Sequence, residues 1–332
     1  MATKRKPYRP QSSSRPRHGD IWERRKQDTE IARWADEVEF RALKEGSSSL
    51  SEALRDDRMD GSLLEKEETT KGEFYGHSTV DDGVISAVSM ELKRRENLLK
   101  SAWPFKLSAG GLTLESRSTS QSLVYEFCLA VARAPSITEG DFKQLPKHFE
   151  RASLSVLQHW LGFHSQGMRT GWPREDDAPT RAKELFGEVC RMAGDREWKW
   201  SPEPGLPQDP SPTHLKEAKL DLLAWLQMPD RFGHVYFAGQ CACSFKDMED
   251  KARELTAGGL MQWLRPLSWV PFVRCFFVPF HLPPQRLQEI IKLGGATFDR
   301  ARLAMIAEKL PADDAKKLKK ELQSAVELVV SR

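Results

Sequence analysis

Apolar positions recur at helical spacing through most of the chain and give way to short apolar runs only near its middle. From Ile21 to about Arg133 the period is that of helices. In "IARWADEVEFRALKEG", Trp34, Val38 and Ala42 fall on one stripe, which Gly46 ends. "SSSLSEALRDD" predicts a second short helix with a serine cap, and "VISAVSMELKRRENLLK" a third. "WPFKLSAGGLTLE" predicts a small hairpin around Gly110 and Gly111, and "SLVYEFCLAVARA" a fourth helix.

Beyond "SITEGDFKQLPK" the pattern changes. "HFERASLSVLQHWLGF" sets Phe149, Val156, Leu157, Trp160 and Leu161 on one helical face. "TRAKELFGEVCRMAG" is a second helix stopped by Gly194, and the prolines of "SPEPGLPQDPSPTH" mark a loop. "LDLLAW" and "HVYFAGQCAC" predict two apolar strands around a reversal, followed by a helix from about Lys246 to Ala257. "SWVPFVRCFFVPFHL" predicts a buried strand, "PPQRLQEIIKLGG" and "FDRARLAMIAEKL" further helices, and "ADDAKKLKKELQSAVELVVSR" a charged closing helix. No internal repeat is visible.

This order implies an α/β (α+β) chain with a mixed central sheet flanked by helices, preceded by a mainly helical N-terminal domain. The expected divisions are a disordered basic arm over 1–20, a helical domain over 21–140, a sheet domain over 146–310 and the charged helix over 311–332. The helical domain is open to either a winged-helix-like module or a plain docking domain.

The 332 residues carry a net charge of +3, which hides an asymmetry. Residues 1–26 hold nine Lys or Arg against two acids, leaving 42 basic and 46 acidic residues elsewhere. A nucleic-acid partner would therefore be held by a local patch or by the arm, whose contacts to phosphate would be salt-dependent. Five cysteines, odd in number and unevenly spaced, do not suit a secreted disulfide framework and point to a reducing cytoplasm. No stretch reads as a signal peptide, and "LSWVPFVRCFFVPFHLPP" is broken by Arg274 and prolines and is too short for a membrane span.

The chemistry concentrates at the central hairpin. A turn centred near Arg231, within Pro229 to Gly233, sets Asp221 opposite Gln240 or Cys241. A carboxylate and an amide oxygen would then reach one small ion, with the Cys241 carbonyl as a third oxygen, which is the ligation that magnesium takes. Each residue also has an ordinary structural role open to it. Asp221 could cap the strand or pair with Lys219, and Gln240 could be a hydrogen-bonded core amide. Lys246, Lys251 and Glu150 could be solvated helix positions. Cys241 and Cys243 invite a zinc reading with His234, Cys275 or His281, but no second close cysteine pair supports it. "KLGGATFDR" lacks the lysine of a phosphate loop, and the tryptophans fit packing better than base stacking.

"FERASLSVLQHWLG", "KLDLLAW" and "HVYFAGQCACSFKDMEDK" together resemble the core of restriction-endonuclease-like nucleases of the PD-(D/E)XK type. Within that superfamily they are similar to uncharacterised bacterial phage-defence-associated proteins. The resemblance covers roughly residues 146–302, and "WADEVEFRALKEG", "SMELKRRENLLKSAWPFKL" and "VYEFCL" extend it towards the N-terminus. It implies that Asp221 is the metal-binding aspartate, that Gln240 holds the acidic or amide position, and that Glu150 is an added acidic ligand. The lysine normally found two residues further on is replaced by Ala242, so Lys251, or secondly Lys246, is the relocated lysine. The implied activity is Mg2+- or Mn2+-dependent hydrolysis of DNA in a cytoplasmic defence system, with a partner subunit and a homo-oligomer both open. The alternative is a degenerate nuclease-fold subunit that binds DNA or protein without cutting.

Overall fold

The computed structural model describes residues 18–60, 82–174, 178–194, 198–212, 215, 219–228, 234–266 and 272–331. The basic arm up to residue 17, the acidic stretch 61–81 and the reversal 229–233 lie outside the described residues. Residues 18–20, assigned to the arm on sequence, begin the first helix.

The chain opens with α1 (His18–Glu45), closed at Gly46 with φ +85°, then β1 (Ser47–Ser49), α2 (Leu50–Asp60) and α3 (Asp82–Leu99). The serine run forms a strand that leads directly into α2. Its partner is β3 (Thr113–Ser116), which forms the expected hairpin with β2 (Phe105–Leu107), giving an antiparallel sheet ordered β1-β3-β2. Val38, Ala42, Leu54, Val88 and Leu92 form its core, with Trp34 packed at the edge.

Next come α4 (Leu123–Arg133) and α5 (Leu145–Leu161), β4 (Ser165–Arg169), α6 (Ala182–Ala193) and β5 (Trp198–Trp200). The central hairpin follows as β6 (Leu222–Leu226) and β7 (Val235–Cys241). After it stand α7 (Met248–Glu254), α8 (Ala257–Met261), β8 (Leu264–Pro266), β9 (Val273–Phe277), α9 (Pro284–Gly294), β10 (Ala296–Phe298), α10 (Arg300–Ala307) and α11 (Ala312–Val330). The single helix expected over 246–257 is therefore two short ones, separated where Leu255 and Thr256 take extended backbone. Strands β4, β5, β8 and β10 had no legible sequence signal.

The main sheet is mixed and ordered β10-β9-β7-β6-β4. Strand β6 runs antiparallel to β4 and to β7, whereas β7, β9 and β10 are mutually parallel. Alternation along β6 and β7 divides the side chains between two faces. Leu222, Ala224, Phe237 and Cys241 pack with α4, α5 and α11, whereas Leu223, Trp225, Tyr236 and Ala238 pack with α6 and Trp263. Burial on both faces explains why these strands read as unbroken apolar runs.

Helix α4 serves two cores. Val124, Phe127 and Val131 belong to the sheet's core, and Tyr125 and Leu129 to that of the N-terminal helices. The charged closing helix is docked as well, burying Leu318, Leu322 and Val329 in the sheet's core. Trp160 differs from expectation, because it lies at the helix end, 54% exposed, with one edge against Phe298.

A charged cluster ties the N-terminal helices to the sheet unit. Arg300, at the start of α10, donates from both terminal nitrogens to Asp36 at 2.9 and 2.8 Å and from Nε to the Pro279 carbonyl at 2.9 Å. Arg95 on α3 donates to Asp36 at 2.7 Å and to Glu39 at 2.8 Å. Trp103 Nε1 and the Tyr125 hydroxyl complete the donors to Glu39. Buried charges persist only when they are paired and hydrogen-bonded in this way.

Candidate functional site at the end of the central hairpin

Strand β6 pairs with β7 in a register that joins Leu222 to Gly239 and Leu226 to Val235, and one step further this register sets Asp221 opposite Gln240. The ladder changes partners there. The Asp221 N–H still donates to the Gly239 carbonyl at 3.0 Å, but its own carbonyl accepts from Thr170 and Gly171 just after β4, each at 2.8 Å. Its carboxylate takes the place of that carbonyl and accepts the Cys241 N–H at 2.7 Å. Asp221 is thus fixed at the carboxyl end of β7, where the side chains of the following helix arrive.

Two cations lie close enough to act on this half-buried carboxylate. Burial raises the Asp221 pKa above the ordinary value, while the Cys241 N–H, Lys251 and Arg169 pull it back and Glu254 adds a smaller upward push. The raised side wins, so the carboxylate is held at a free-energy cost. Lys251, on α7, donates to the Cys241 carbonyl at 3.5 Å. It therefore stands over the residue whose N–H holds Asp221. Lys246 is exposed in the turn before α7.

Gln240 points to the opposite face from Cys241 and is buried. Its amide donates to Glu254 at 2.9 Å, while Oε1 is buried and has no hydrogen-bond partner among the described residues. An amide flip would set Oε1 against the Glu254 carboxylate, so the orientation is determined. Glu254 also pairs with Lys219 at 3.4 Å, and Lys219 holds a left-handed φ of +64° two residues before Asp221. That conformation is uncommon for a non-glycine residue and costs on the order of 1 kcal/mol.

Glu150 is buried on α5 and forms an ion pair with Arg169 of β4. It lies against Gly171, where a Cβ would collide with its carboxylate. Its negative charge is felt by both thiols of the Cys241–Cys243 pair, which burial first, then Asp221 and Glu150, push well above the ordinary range. Ala242, where the resemblance would place a lysine, is sealed among Met248, Ala252 and Phe276. Of the zinc partners considered on sequence, His234 is otherwise engaged. His234 accepts from the Met228 N–H at 3.1 Å and faces the Ala193 carbonyl at 2.8 Å. Among the described residues no three His, Cys, Asp or Glu side chains group as a metal cluster.

The structure thus brings Asp221, the Cys241 carbonyl, Lys251 and, through Arg169, Glu150 to one end of the sheet, with Gln240 on the other face beside Glu254. Arg169 and Glu254 escaped sequence reasoning. Glu254 was discoverable, since it follows Lys251 at helical spacing of three residues on α7. Arg169 lies on a strand that no pattern revealed. No protein-family model, curated protein or solved structure matches this chain, so the functional reading stands on this geometry.

Proposed function

We propose that the chain is a metal-dependent nuclease that hydrolyses DNA phosphodiester bonds, on a restriction-endonuclease-like (PD-(D/E)XK-type) sheet, and that it acts in bacterial phage defence. The observation that carries this reading is the Lys251 ammonium on the Cys241 carbonyl, beside the Asp221 carboxylate that the same residue's N–H holds. A mixed sheet flanked by helices is consistent with it.

The donors fit a hard divalent cation such as Mg2+ or Mn2+. Asp221 and the Cys241 carbonyl both offer oxygen, and a cation next to Asp221 would offset the cost of its burial; Gln240, turned to the other face beside Glu254, does not join them as the sequence reading expected. When bound, such an ion lowers the pKa of water and polarises a phosphoryl oxygen. The chain's own groups supply the rest. Lys251 exchanges the Cys241 carbonyl for a phosphate oxygen and stabilises the charge that builds there. Arg169 neutralises Glu150 and lowers the negative potential that an incoming phosphate would meet. Glu254 holds the Gln240 amide and Lys219, which fixes the backbone leading into Asp221.

The buried Ala242 and the amide at Gln240 favour a second reading, a degenerate subunit that binds DNA or a partner without turnover. Cleavage of plasmid and linear DNA by wild type, Asp221→Ala and Lys251→Ala with magnesium or manganese separates the two. The nuclease reading expects wild-type cutting and a loss of about 100-fold or more in each variant, the size of effect seen when a group stabilising transition-state charge is removed. Equal cutting by all three proteins removes the site. Binding without cutting under either metal leaves the degenerate subunit.

A further inference from the structure

Among the exposed aromatic side chains, Trp172 is held at the rim of the Asp221 site by a braced loop. The loop runs from Thr170 to Arg174, directly after β4. The N–H groups of Thr170 and Gly171 both donate to the Asp221 carbonyl at 2.8 Å. One peptide step beyond Gly171, the Trp172 Cα therefore lies within about 8 Å of that carbonyl. Trp172 is 40% exposed.

Two arginines do the bracing. Arg169 donates to the Gly171 carbonyl at 3.0 Å and to the Pro173 carbonyl, while Glu150 meets its charge. Arg174 is 7% exposed and donates to the carbonyls of Thr170, Pro179 and Thr180 at 3.3, 3.0 and 2.6 Å. Its guanidinium carbon lies over the Trp172 ring, 5.4 Å from the centroid. A cation fixed in this way steadies the indole by attraction to its π-face. A tryptophan used for packing alone buries most of its surface. This one is supported by a buried guanidinium and left two-fifths exposed beside the candidate site.

Charge is not what the loop offers. Lys147 reaches it, donating to the Arg174 carbonyl at 3.2 Å, but Glu175, Asp176 and Asp177 come next in the sequence, outside the described residues. With Glu150 these acids offset Lys147, Arg169 and Arg174, so the loop brings no net positive charge to a phosphate. Its offer to a ligand is an aromatic surface.

We propose that Trp172 is the stacking platform for an unpaired base of single-stranded DNA, in a strand whose phosphate lies at Asp221 and Lys251; the assignment rests on the nuclease-site reading above. Every base has a π-face, so the contact is indifferent to sequence. In a duplex the bases are already stacked on one another, and only a single strand has one to give.

Fluorescence anisotropy of the full chain with a short labelled single strand tests this, in EDTA so that binding is read without metal-dependent cutting. Trp172→Ala should weaken binding about tenfold, within the range for a base stacked on an aromatic side chain, and Trp172→Phe by less. The slope of affinity against salt should be the same in wild type and Trp172→Ala, because no phosphate contact is lost. Wild type should bind an abasic strand of equal length about as weakly as Trp172→Ala binds the normal one, a comparison that needs no variant to fold. Duplex binding should not depend on Trp172. No binding of the single strand by wild type, equal affinity for normal and abasic strands, Trp172→Phe no better than Trp172→Ala, or an equal loss on duplex would each overturn the proposal. Cutting is scored separately: base-dependent binding without cleavage removes the nuclease reading and keeps Trp172, whereas cleavage with base-independent binding does the reverse.

Discussion

Replacing Arg300 with methionine tests what joins the two parts of the molecule. Arg300 is fully buried and gives Asp36 two hydrogen bonds, at 2.9 and 2.8 Å, and the Pro279 carbonyl a third. Methionine keeps much of the volume but removes all three donors. Asp36 is then left with Arg95 alone, and the Pro279 carbonyl loses its donor. Breaking a buried pair by removing one member costs about 3–5 kcal/mol. Asp36→Leu should cost a similar amount by leaving Arg300 with only the more distant Glu39 at 3.6 Å, while the double variant should cost less than the sum by on the order of 2–3 kcal/mol. Urea denaturation followed by tryptophan fluorescence and by far-UV circular dichroism measures each corner of the cycle. The pH dependence gives a second readout. Burial pushes Asp36 up, but Arg300 and Arg95 together outweigh it and hold the carboxyl below its ordinary value of 3.8. A depressed aspartate contributes stability above its unfolded pKa and loses it as pH falls through the folded one. Wild type should therefore weaken below about pH 3.8, and Arg300→Met should show a flatter slope there. A cost for Arg300→Met under about 1 kcal/mol, the range of an exposed pair, would refute the reasoning.

Three further outcomes follow from the site. The Asp221 pKa is raised, so the stability its neutral form contributes is present in acid and lost as pH rises through the folded value; Asp221→Asn should be more stable than wild type at pH 7, with the difference closing in acid, as denaturation at the two pH values will show. A Cβ at Gly239 would meet Leu222 at 2.5 Å and Phe277 at 2.9 Å, so Gly239→Ala should cost about 1–3 kcal/mol in the same assay. Cys241 and Cys243 have thiol pKa values far above the ordinary range, so neither should react with a thiol reagent at pH 8 until the protein is unfolded, as a timed colorimetric titration against Cys241→Ser and Cys243→Ser variants will show.

Local pattern determined a good part of this architecture. β6 and β7 were legible because burial on both faces makes each a continuous apolar run, and the stripe that buries Phe149, Val156 and Leu157 because it repeats about every 3.6 residues. The proline and glycine at the ends of 229–233 were enough to set Asp221 opposite Gln240. Strands β4, β5, β8 and β10 were hidden, since runs of three to five residues carry too few positions to show a period.

What only the tertiary structure decided was direction and company. Pairing across a strand places Asp221 and Gln240 level, yet it does not say that the carboxylate turns to the Cys241 N–H while the amide turns to Glu254. Nor does sequence say which lysine of "FKDMEDK" arrives over Cys241, because that depends on where α7 starts and how Met248 and Ala252 seat it on the sheet. Arg300 and Asp36 are 264 residues apart, and no local period links them. Periodicity is a property of neighbours along the chain, whereas a site is made by side chains that only packing brings together.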